Sequence, residues 1–378
     1  MINKDRAIKM FCELVQIDSV SLNEKGVASF LKSYFTNLGY EVYEDQVSVQ
    51  KVPQANSGNI VVKIPGTGAY VNHDPIILEA HMDTVEPGNG VKPSVTEDGK
   101  YVVSDGTTIL GADDKAGIAQ IIEVEAVLRE HDFSHPPLEL LFTISEEIGI
   151  LGAFNIDTNL VTGKTAYVLD GGGGPGTAII GGPDFYDITG RIIGRASHAG
   201  AAPDKGISSI QVMSDAISKM RLLKVDEDTT TNIGRVICDY PTNVVPEVTT
   251  FEMEVRSLVP EKAQAQVKHV VDTLQASADS FGAKLEIEVG QSLHAYHLDD
   301  SLAIIQNYKA MCERHNLTYN GMVVRGGTDV SGLTFNGINA ICLAAGGEFA
   351  HELKERLIID EFVANTQQVL WLVTEIDA

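Results

Sequence analysis

Apolar and polar positions along the chain switch between helical and strand-like spacing, and this pattern predicts an α/β core. Residues 3–16 and 24–38 are amphipathic with helical periodicity, and AGIAQIIEVEAVLRE predicts a further helix. The runs EVYEDQVSVQ, NIVVKIPG, PIILEAHMDTV, LELLFTI and TAYVLD predict strands. Several of these runs are apolar at consecutive positions, as at 76–78 and 140–142. We therefore expect a mixed sheet that helices cover on both faces.

A different pattern begins near Asp184. Strand, helix, strand, strand, helix and strand follow as DFYDITGRIIGR, GISSIQVMSDAISKMRLL, TNIGRVICDY, VTTFEMEVRSL, EKAQAQVKHVVDTLQASADSF and AKLEIEVGQ. This βαββαβ order is that of a ferredoxin-like α+β unit. Around Ser292 the first pattern returns, with helix LAIIQNYKAMCERH, the turn VRGGTDVSG, strand INAICLAA and a closing helix. We predict an α/β domain of residues 1–182 and 293–378, interrupted by a ferredoxin-like domain at 183–292.

Composition narrows the possible partners. The 378 residues allow two or three domains, and 28 basic against 52 acidic residues give a formal charge of −24. This sign repels phosphate backbones and anionic lipids, so neither a nucleic-acid nor a membrane partner is expected. No apolar run approaches the ~20 residues of a membrane span, and the first 17 residues lack the features of a secretory signal. The four widely spaced cysteines, which form no CxxC motif, read as reduced thiols, and a cytoplasmic protein is expected.

Two motifs suggest chemistry at the ends of the first predicted strands. In LEAHMDTV, His81 and Asp83 share one face of an extended backbone, so Asp83 can hydrogen-bond the ring nitrogen that a metal leaves free. A purely structural histidine–carboxylate pair is the alternative for this dyad alone. In GADDKAGIAQIIE, Asp113 and Asp114 stand at the start of a helix, where capping explains one aspartate but not two.

Further acidic and imidazole groups follow other predicted strands. Glu146 and Glu147 come after LELLFTI, Asp170 ends TAYVLD, and His351 follows INAICLAA. Open α/β sheets bind their ligands at the carboxyl ends of the strands. Mixed imidazole and carboxylate ligands suit zinc, cobalt or manganese. Five ligands exceed the needs of one tetrahedral catalytic zinc, so we predict two metals bridged by a carboxylate and a hydroxide.

The motifs HMDTV, GADDKAG, SEEIG, LDGG and a late HE, with a domain inserted after LDGG, resemble the co-catalytic zinc exopeptidases. That family includes peptidase T, carboxypeptidase G, aminoacylase and succinyl-diaminopimelate desuccinylase, and the resemblance covers nearly the whole chain. GADDKAGIA and RGGTD look most like the peptidase T group. The resemblance implies a catalytic domain with two zinc ions per subunit and an inserted lid and dimerisation domain that forms a homodimer.

The same resemblance assigns roles to individual residues. It implies that Asp113, rather than Asp114, bridges the two metals. His81 and Asp170 would complete the ligands of one metal, and Glu147 and His351 those of the other. Glu146 would be the general base and Asp83 would orient His81.

Three residues of the inserted domain, and Arg325 in the segment after it, are candidate substrate contacts. The resemblance implies such a role for His198 in RASHAGAAPDKG, often donated by a partner subunit, and for Asn243 in PTNVVP. Arg256 on a predicted strand can pair with a substrate carboxylate, or form a surface salt bridge instead. Arg325 precedes a Gly-rich turn before a helix, where backbone amides can hold an anionic group.

We therefore predict a metallopeptidase that releases the N-terminal residue of short peptides. A metal-bridged water would lose its proton to Glu146, and the resulting hydroxide would attack the scissile carbonyl. Because the same core carries out related reactions, a dipeptidase, a carboxypeptidase and an N-acyl amino acid deacylase remain alternatives. A non-catalytic binding protein is the alternative of a different class.

Overall fold

The structure, a computed structural model, describes residues 1–376. Its α-helices share amphipathic or fully buried sequences. They are α1 (Lys4–Val15), α2 (Lys25–Asn37), α3 (Gln46–Lys51), α4 (Ala112–His131), α5 (Leu151–Phe154), α6 (Ser209–Lys219), α7 (Pro260–Phe281), α8 (Ala303–Arg314), α9 (Val330–Phe335) and α10 (Ile359–Thr374). None of these helices combines the length and the apolarity of a transmembrane segment.

The strands fall into one large sheet, one sheet in the inserted region and two small ones. They are β1 (Glu41–Glu44), β2 (Ile60–Ile64), β3 (Ile76–His81), β4 (Ser94–Val95), β5 (Tyr101–Val103), β6 (Leu138–Thr143), β7 (Thr165–Gly171), β8 (Thr177–Gly182), β9 (Asp184–Ile193), β10 (Ser197–His198), β11 (Leu223–Lys224), β12 (Thr229–Ile237), β13 (Val244–Val245), β14 (Val248–Ser257), β15 (Lys284–Leu293), β16 (Tyr296–His297), β17 (Asn320–Val323), β18 (Asn339–Ala344), β19 (Gly347–Glu348) and β20 (Arg356–Ile358).

The chain forms two compact units. The first comprises Met1–Ile180, Leu298–Val323 and the stretch from Gly327 onwards, and the second comprises Gly181–His297 with Val324–Gly326. We keep the boundaries at 182/183 and 292/293 as our proposal for the limits of the two domains.

The large sheet of the first unit is mixed, as the sequence predicts. Its order begins β1-β2-β6-β3-β7-β18-β8. The four central strands β6, β3, β7 and β18 are parallel to one another, whereas β1, β2 and β8 pair antiparallel with their neighbours. Every residue of β6 is buried, so both faces of the sheet are covered. The parallel centre brings four carboxyl ends to one edge.

Helix α4 anchors the helical layer of this unit. It packs against α1, α10, β3 and β7, and its sequence is buried almost all round between residues 114 and 128. Most residues of this stretch are apolar, and its buried acidic side chains have partners: Glu123 binds Arg6, and Glu125 binds Tyr40 and Arg129. The helix start is therefore held firmly at the sheet edge.

The second unit confirms the ferredoxin-like prediction. Its sheet has the order β11-β12-β14-β9-β15, and all pairings are antiparallel. Helices α6 and α7 pack together on one face through Val212, Val270 and Leu274. The strand order and the two helices match the split βαβ arrangement.

One predicted strand is half wrong. Only Glu41–Glu44 of EVYEDQVSVQ forms a strand, because Asp45 caps a short helix instead. The Asp45 carboxylate accepts hydrogen bonds from the N–H groups of Val47 and Ser48. An aspartate at this position accepts hydrogen bonds from the unpaired N–H groups at a helix start. It therefore favours a helix here, although the alternating apolar positions resemble those of a strand.

Candidate metal centre

The first unit gathers the predicted ligands at one edge of its large sheet. His81 is the last residue of β3, Asp170 lies near the end of β7, and Glu147 follows β6. Asp113 lies at the start of α4, and His351 lies in the turn between β19 and β20. The parallel direction of β3, β6 and β7 explains this convergence, because parallel strands end at the same edge.

The side chains form a continuous series of contacts. His81 Nε2 lies 2.9 Å from Asp113 Oδ1 and 3.6 Å from Asp170 Oδ1. On the other side, His351 Nε2 lies 3.3 Å from Asp113 Oδ2 and 2.9 Å from Glu147 Oε2. Each Asp113 oxygen therefore faces one histidine, so this carboxylate stands between two potential ligand sets.

Asp114 has a different environment from Asp113. Its carboxylate is fully buried and accepts hydrogen bonds from the main-chain N–H groups of His81 and Gly117, at 3.2 and 2.9 Å. The ligand atoms of His81, Asp114 and Asp170 also lie close enough to surround a cation, as do those of His81, Asp113 and Glu147. Neither aspartate adopts helical φ and ψ angles, so the regular helix begins after both rather than at them.

Asp83 contacts more groups than His81, the residue that it is predicted to orient. His81 Nδ1 lies 3.0 Å from the main-chain oxygen of Asp83 and 3.5 Å from its carboxylate. The carboxylate accepts hydrogen bonds from the main-chain N–H groups of Glu146 and Glu147, and from Ser21 Oγ at 2.6 Å. Asp83 therefore fixes the turn that carries the predicted base and one predicted ligand.

Glu146 lies at this turn with its side chain uncommitted. Among residues 1–376, no group donates a hydrogen bond to the Glu146 carboxylate, and its main-chain N–H binds Asp83 at 2.9 Å. Burial raises the pKa of Glu146 well above its usual range. A carboxyl group with a raised pKa and free oxygens has the properties of a general base.

The electrostatics of the cluster fit a bound cation. Burial and the charge of Asp113 raise the pKa of Asp170 to about 8, and burial raises the pKa of Glu147. Burial would also raise the pKa of Asp113, but hydrogen bonds with His351 and His81 bring it below its usual value. Hydrogen bonds with Asp113 and Glu147 raise the pKa of His351 to about 10. Positive charge therefore stabilises these carboxylates, and a divalent cation supplies it more effectively than a proton.

The spacing of the ligand atoms leads to the same conclusion. A tetrahedral zinc with ligands at about 2.0–2.1 Å separates neighbouring ligand atoms by about 3.3 Å. The separations between the histidine nitrogens and their carboxylate oxygens run from 2.9 to 3.6 Å. Together with the imidazole and carboxylate chemistry, these distances fit the ligand spacing of a metal centre.

Two buried charges near the centre escaped sequence reasoning. Lys115 is only 2% exposed, and burial lowers its pKa to about 8. Glu355 is also 2% exposed, burial raises its pKa to about 7, and its carboxylate contacts the loop before Asp113. The signal for Glu355 was its place in FAHELKERL, four residues along the chain from the predicted ligand His351.

Known protein families and solved structures match both units of the chain. Residues 59–180 match the family model described as Peptidase family M28, and residues 185–281 match the Peptidase dimerisation domain. A tripeptidase structure from Staphylococcus aureus subsp. aureus Mu50 shares 36% identity, with a TM-score of 0.93 and 99% of each chain covered. The chain belongs to the peptidase T-like M20 family.

Two further relatives cover the peptidase equally well. The structure of aminopeptidase PepT from Bacillus cereus ATCC 10987 shares 36% identity, with a TM-score of 0.88 and 99% of each chain covered. The uncharacterized protein YqjE of Bacillus subtilis (strain 168) is 37% identical over 375 residues, which are 99% of each chain. Both matches extend across the inserted region, so the peptidase shares the full two-unit organisation with these relatives.

The second unit of the peptidase brings two of the predicted substrate contacts together. His198 lies in β10, which pairs with β13, and the main-chain oxygen of neighbouring Asn243 accepts the N–H of Ala199. His198 Nδ1 accepts hydrogen bonds from Gly200 and Ala201, both at 3.1 Å. This leaves the Nε2–H of a neutral, exposed ring free to donate.

The two arginines that are predicted to contact substrate already form hydrogen bonds with other residues of the peptidase. Arg256 pairs with both carboxylate oxygens of Glu254 at 3.0 Å, and its guanidinium lies 4.4 Å from the centre of the Phe185 ring. Arg256 Nη1 also donates to the main-chain oxygen of Arg325. Arg325 in turn donates to the main-chain oxygens of residues 227 and 228. The salt-bridge interpretation of Arg256 therefore describes this state.

The two pairs lie at opposite ends of one strand of the second unit. Arg256 pairs in register with Phe185 at the start of β9, whereas β9 ends at Ile193, shortly before His198. Eight residues of strand at about 3.4 Å each separate these ends by about 27 Å.

Proposed function

We propose that the protein is a metal-dependent peptidase that hydrolyses the N-terminal peptide bond of short peptides, in the manner of a tripeptide aminopeptidase. The observation that carries the proposal is the unbroken series of contacts from Asp170 through His81, Asp113 and His351 to Glu147. Relatives named tripeptidase and aminopeptidase PepT, each 36% identical over 99% of the chain, support the choice of substrate.

The proposed ligand sets follow the contacts. His81 and Asp170 would bind one cation, Glu147 and His351 the other, and Asp113 both. We favour Asp113 over Asp114 as the bridge because the oxygens of Asp114 already accept two main-chain hydrogen bonds. Zinc is the proposed metal, with cobalt or manganese as substitutes, because all three accept mixed nitrogen and oxygen ligands.

The chain's own groups then account for the proton transfers. When bound, the two cations would supply Lewis-acid polarisation of the scissile carbonyl and would acidify a water. Glu146 would accept the proton of that water and deliver it to the leaving amine, since its side chain is half-buried and accepts no hydrogen bond from residues 1–376. Asp83 would keep Glu146 in position through the main-chain N–H of that residue, and would keep His81 in the tautomer that leaves Nε2 free.

The inserted unit would contribute substrate contacts from two copies. The ~27 Å length of β9 separates the strand end beside Arg256 from the strand end that precedes His198, and this supports contributions of the two pairs to different active sites of a dimer. The match of residues 185–281 to the Peptidase dimerisation domain supports a homodimer. His198 would donate its Nε2–H to the oxyanion, and Asn243 would bind the substrate backbone.

Peptide assays with and without chelator test the proposal. The purified protein is assayed against tripeptides, dipeptides and N-acyl amino acids, with metal content measured in parallel. We expect two metals per chain and chelator-sensitive release of the N-terminal residue, fastest from tripeptides. Preferred cleavage of dipeptides or N-acyl amino acids, or release of the carboxyl-terminal residue, would instead support one of the related hydrolases. Absence of metal-dependent hydrolysis across the panel would overturn the proposal.

A further inference from the structure

Glu355 makes an unusual set of contacts for a residue outside the proposed ligand sets. It lies in the turn between β19 and β20, four residues after His351, with 2% of its surface exposed. Its Oε2 accepts hydrogen bonds from the main-chain N–H groups of Leu110 and Gly111, both at 2.7 Å. Its Oε1 accepts the N–H of Asp113 at 3.1 Å. One carboxylate thus accepts from three main-chain donors at the entry to α4.

This loop needs such an acceptor. The first N–H groups of a helix have no partner within it, and here Gly111 is left-handed and Asp113 is not helical. Buried N–H groups without acceptors would destabilise the loop considerably.

We infer that Glu355 is a positioning residue that holds the main chain of Asp113 so that its two carboxylate oxygens face His81 and His351. Glu355 lies in the same turn as His351, a proposed ligand. Its carboxylate therefore connects that turn to the segment that carries Asp113, the proposed bridge. The inference rests on the proposed function, since it concerns the placement of that metal bridge. Glu355 itself contacts main-chain groups rather than substrate.

The chemistry of the side chain makes the inference specific. A glutamine at 355 keeps one oxygen, which can still accept from Leu110 and Gly111. Its amide group would then present hydrogens to the Asp113 N–H, so donor would face donor. Aspartate keeps both oxygens but is one methylene shorter, so it cannot reach all three N–H groups. Both variants should therefore disturb Asp113 more than they disturb the rest of the fold.

The experiment compares Glu355→Gln and Glu355→Asp with wild type and with Glu352→Gln. Glu352 is an exposed residue of the same turn whose carboxylate pairs with Lys354, so its variant is a matched control. Hydrogen exchange of residues 108–118 is measured on metal-free protein, and zinc and cobalt affinities are measured by competition with a chelating dye. Kinetic constants of the zinc-loaded proteins are measured in parallel.

We expect both Glu355 variants to exchange the 108–118 amides about tenfold faster or more, with unchanged exchange in the second unit. Their metal affinity should fall about 10- to 100-fold, and kcat should fall while KM changes little. Glu352→Gln should match wild type in all three measurements. Wild-type exchange and wild-type metal affinity in both Glu355 variants would overturn the inference, and so would loss of the folded state in both.

The two proposals fail in different ways. If wild type binds no metal and hydrolyses no peptide, the proposed function fails, whereas exchange in the metal-free protein still reports on Glu355. If wild type is an active metalloenzyme and the Glu355 variants exchange and bind metal as it does, the proposed function stands and the role of Glu355 is wrong.

Discussion

Replacing Asp83 by asparagine tests how the turn with Glu146 and Glu147 is held. The Asp83 carboxylate accepts the N–H groups of both glutamates, at 2.9 and 3.2 Å, in a fully buried position. Asparagine keeps one acceptor oxygen and places an amide group opposite the other N–H. The variant therefore loses one buried hydrogen bond to a charged group, worth about 1.5–3 kcal/mol. At 1.4 kcal/mol per factor of ten, this lowers the ratio of correctly placed to displaced turn by about 10- to 100-fold.

The assay separates this effect from general destabilisation. Because a chain with two units need not unfold in one step, we compare kcat and metal affinity rather than a single unfolding free energy. Asp83→Asn should lower kcat about 10- to 100-fold and weaken metal binding. Ser21→Ala, which removes only the hydroxyl donor to the same carboxylate, should change both by less than about threefold. Wild-type kcat and metal affinity in Asp83→Asn, or equal losses in the two variants, would refute the reasoning.

Three further predictions concern the ligands and their support. Asp113→Asn should reduce metal content and abolish hydrolysis, whereas Asp114→Asn should keep its metals and lower the thermal midpoint, because it loses one of two buried main-chain bonds; metal analysis showing the reverse order would contradict the assignment. Gly117→Ala places a Cβ too close to the main-chain oxygen of Leu169, so it should destabilise the first unit by about 1–3 kcal/mol. Calorimetry should show no such loss for Gly290→Ala, which has open space. Chelation of wild type should lower the thermal midpoint, since ligands at 100 times their Kd stabilise by about 2.7 kcal/mol each; an unchanged midpoint would count against resident metals.

The positions of the strand-end residues at one edge of the sheet could be predicted from the sequence. His81, Asp170 and Glu147 each follow an apolar run, and the parallel centre of the sheet brings those ends together. Periodicity reveals such runs directly, because buried strands have few polar positions. The ferredoxin-like order of the inserted region was equally visible, since each helix has a clear apolar stripe.

Short-range polar contacts were harder to predict. Asp45 caps a helix in a segment whose alternating apolar positions resemble a strand. Only the hydrogen bonds that its carboxylate accepts from two main-chain N–H groups mark the segment as a helix. The strand β8, with the sequence TAIIGG, escaped notice because glycines flank and end it. The pairing of Arg256 with Glu254 could have been foreseen, because residues two apart on a strand share a face.

Contacts that join distant segments could not be predicted from spacing. Glu355 meets the 110–113 loop across more than 240 positions of sequence, and nothing local marks its carboxylate as an acceptor for main-chain groups. The contacts of the Asp83 carboxylate with Glu146 and Glu147 are similarly remote. Such interactions depend on how the β3 and β6 ends adjoin, which only the assembled sheet determines.

Turnover and metal content of Glu146→Gln test the central claim most directly. Glutamine retains the size of the side chain and removes its capacity to accept a proton, while the proposed ligands stay intact. We predict two bound metals per chain and a loss of kcat of about 10²- to 10⁴-fold with tripeptide substrate. Wild-type turnover in a Glu146→Gln protein that retains both metals would contradict the account.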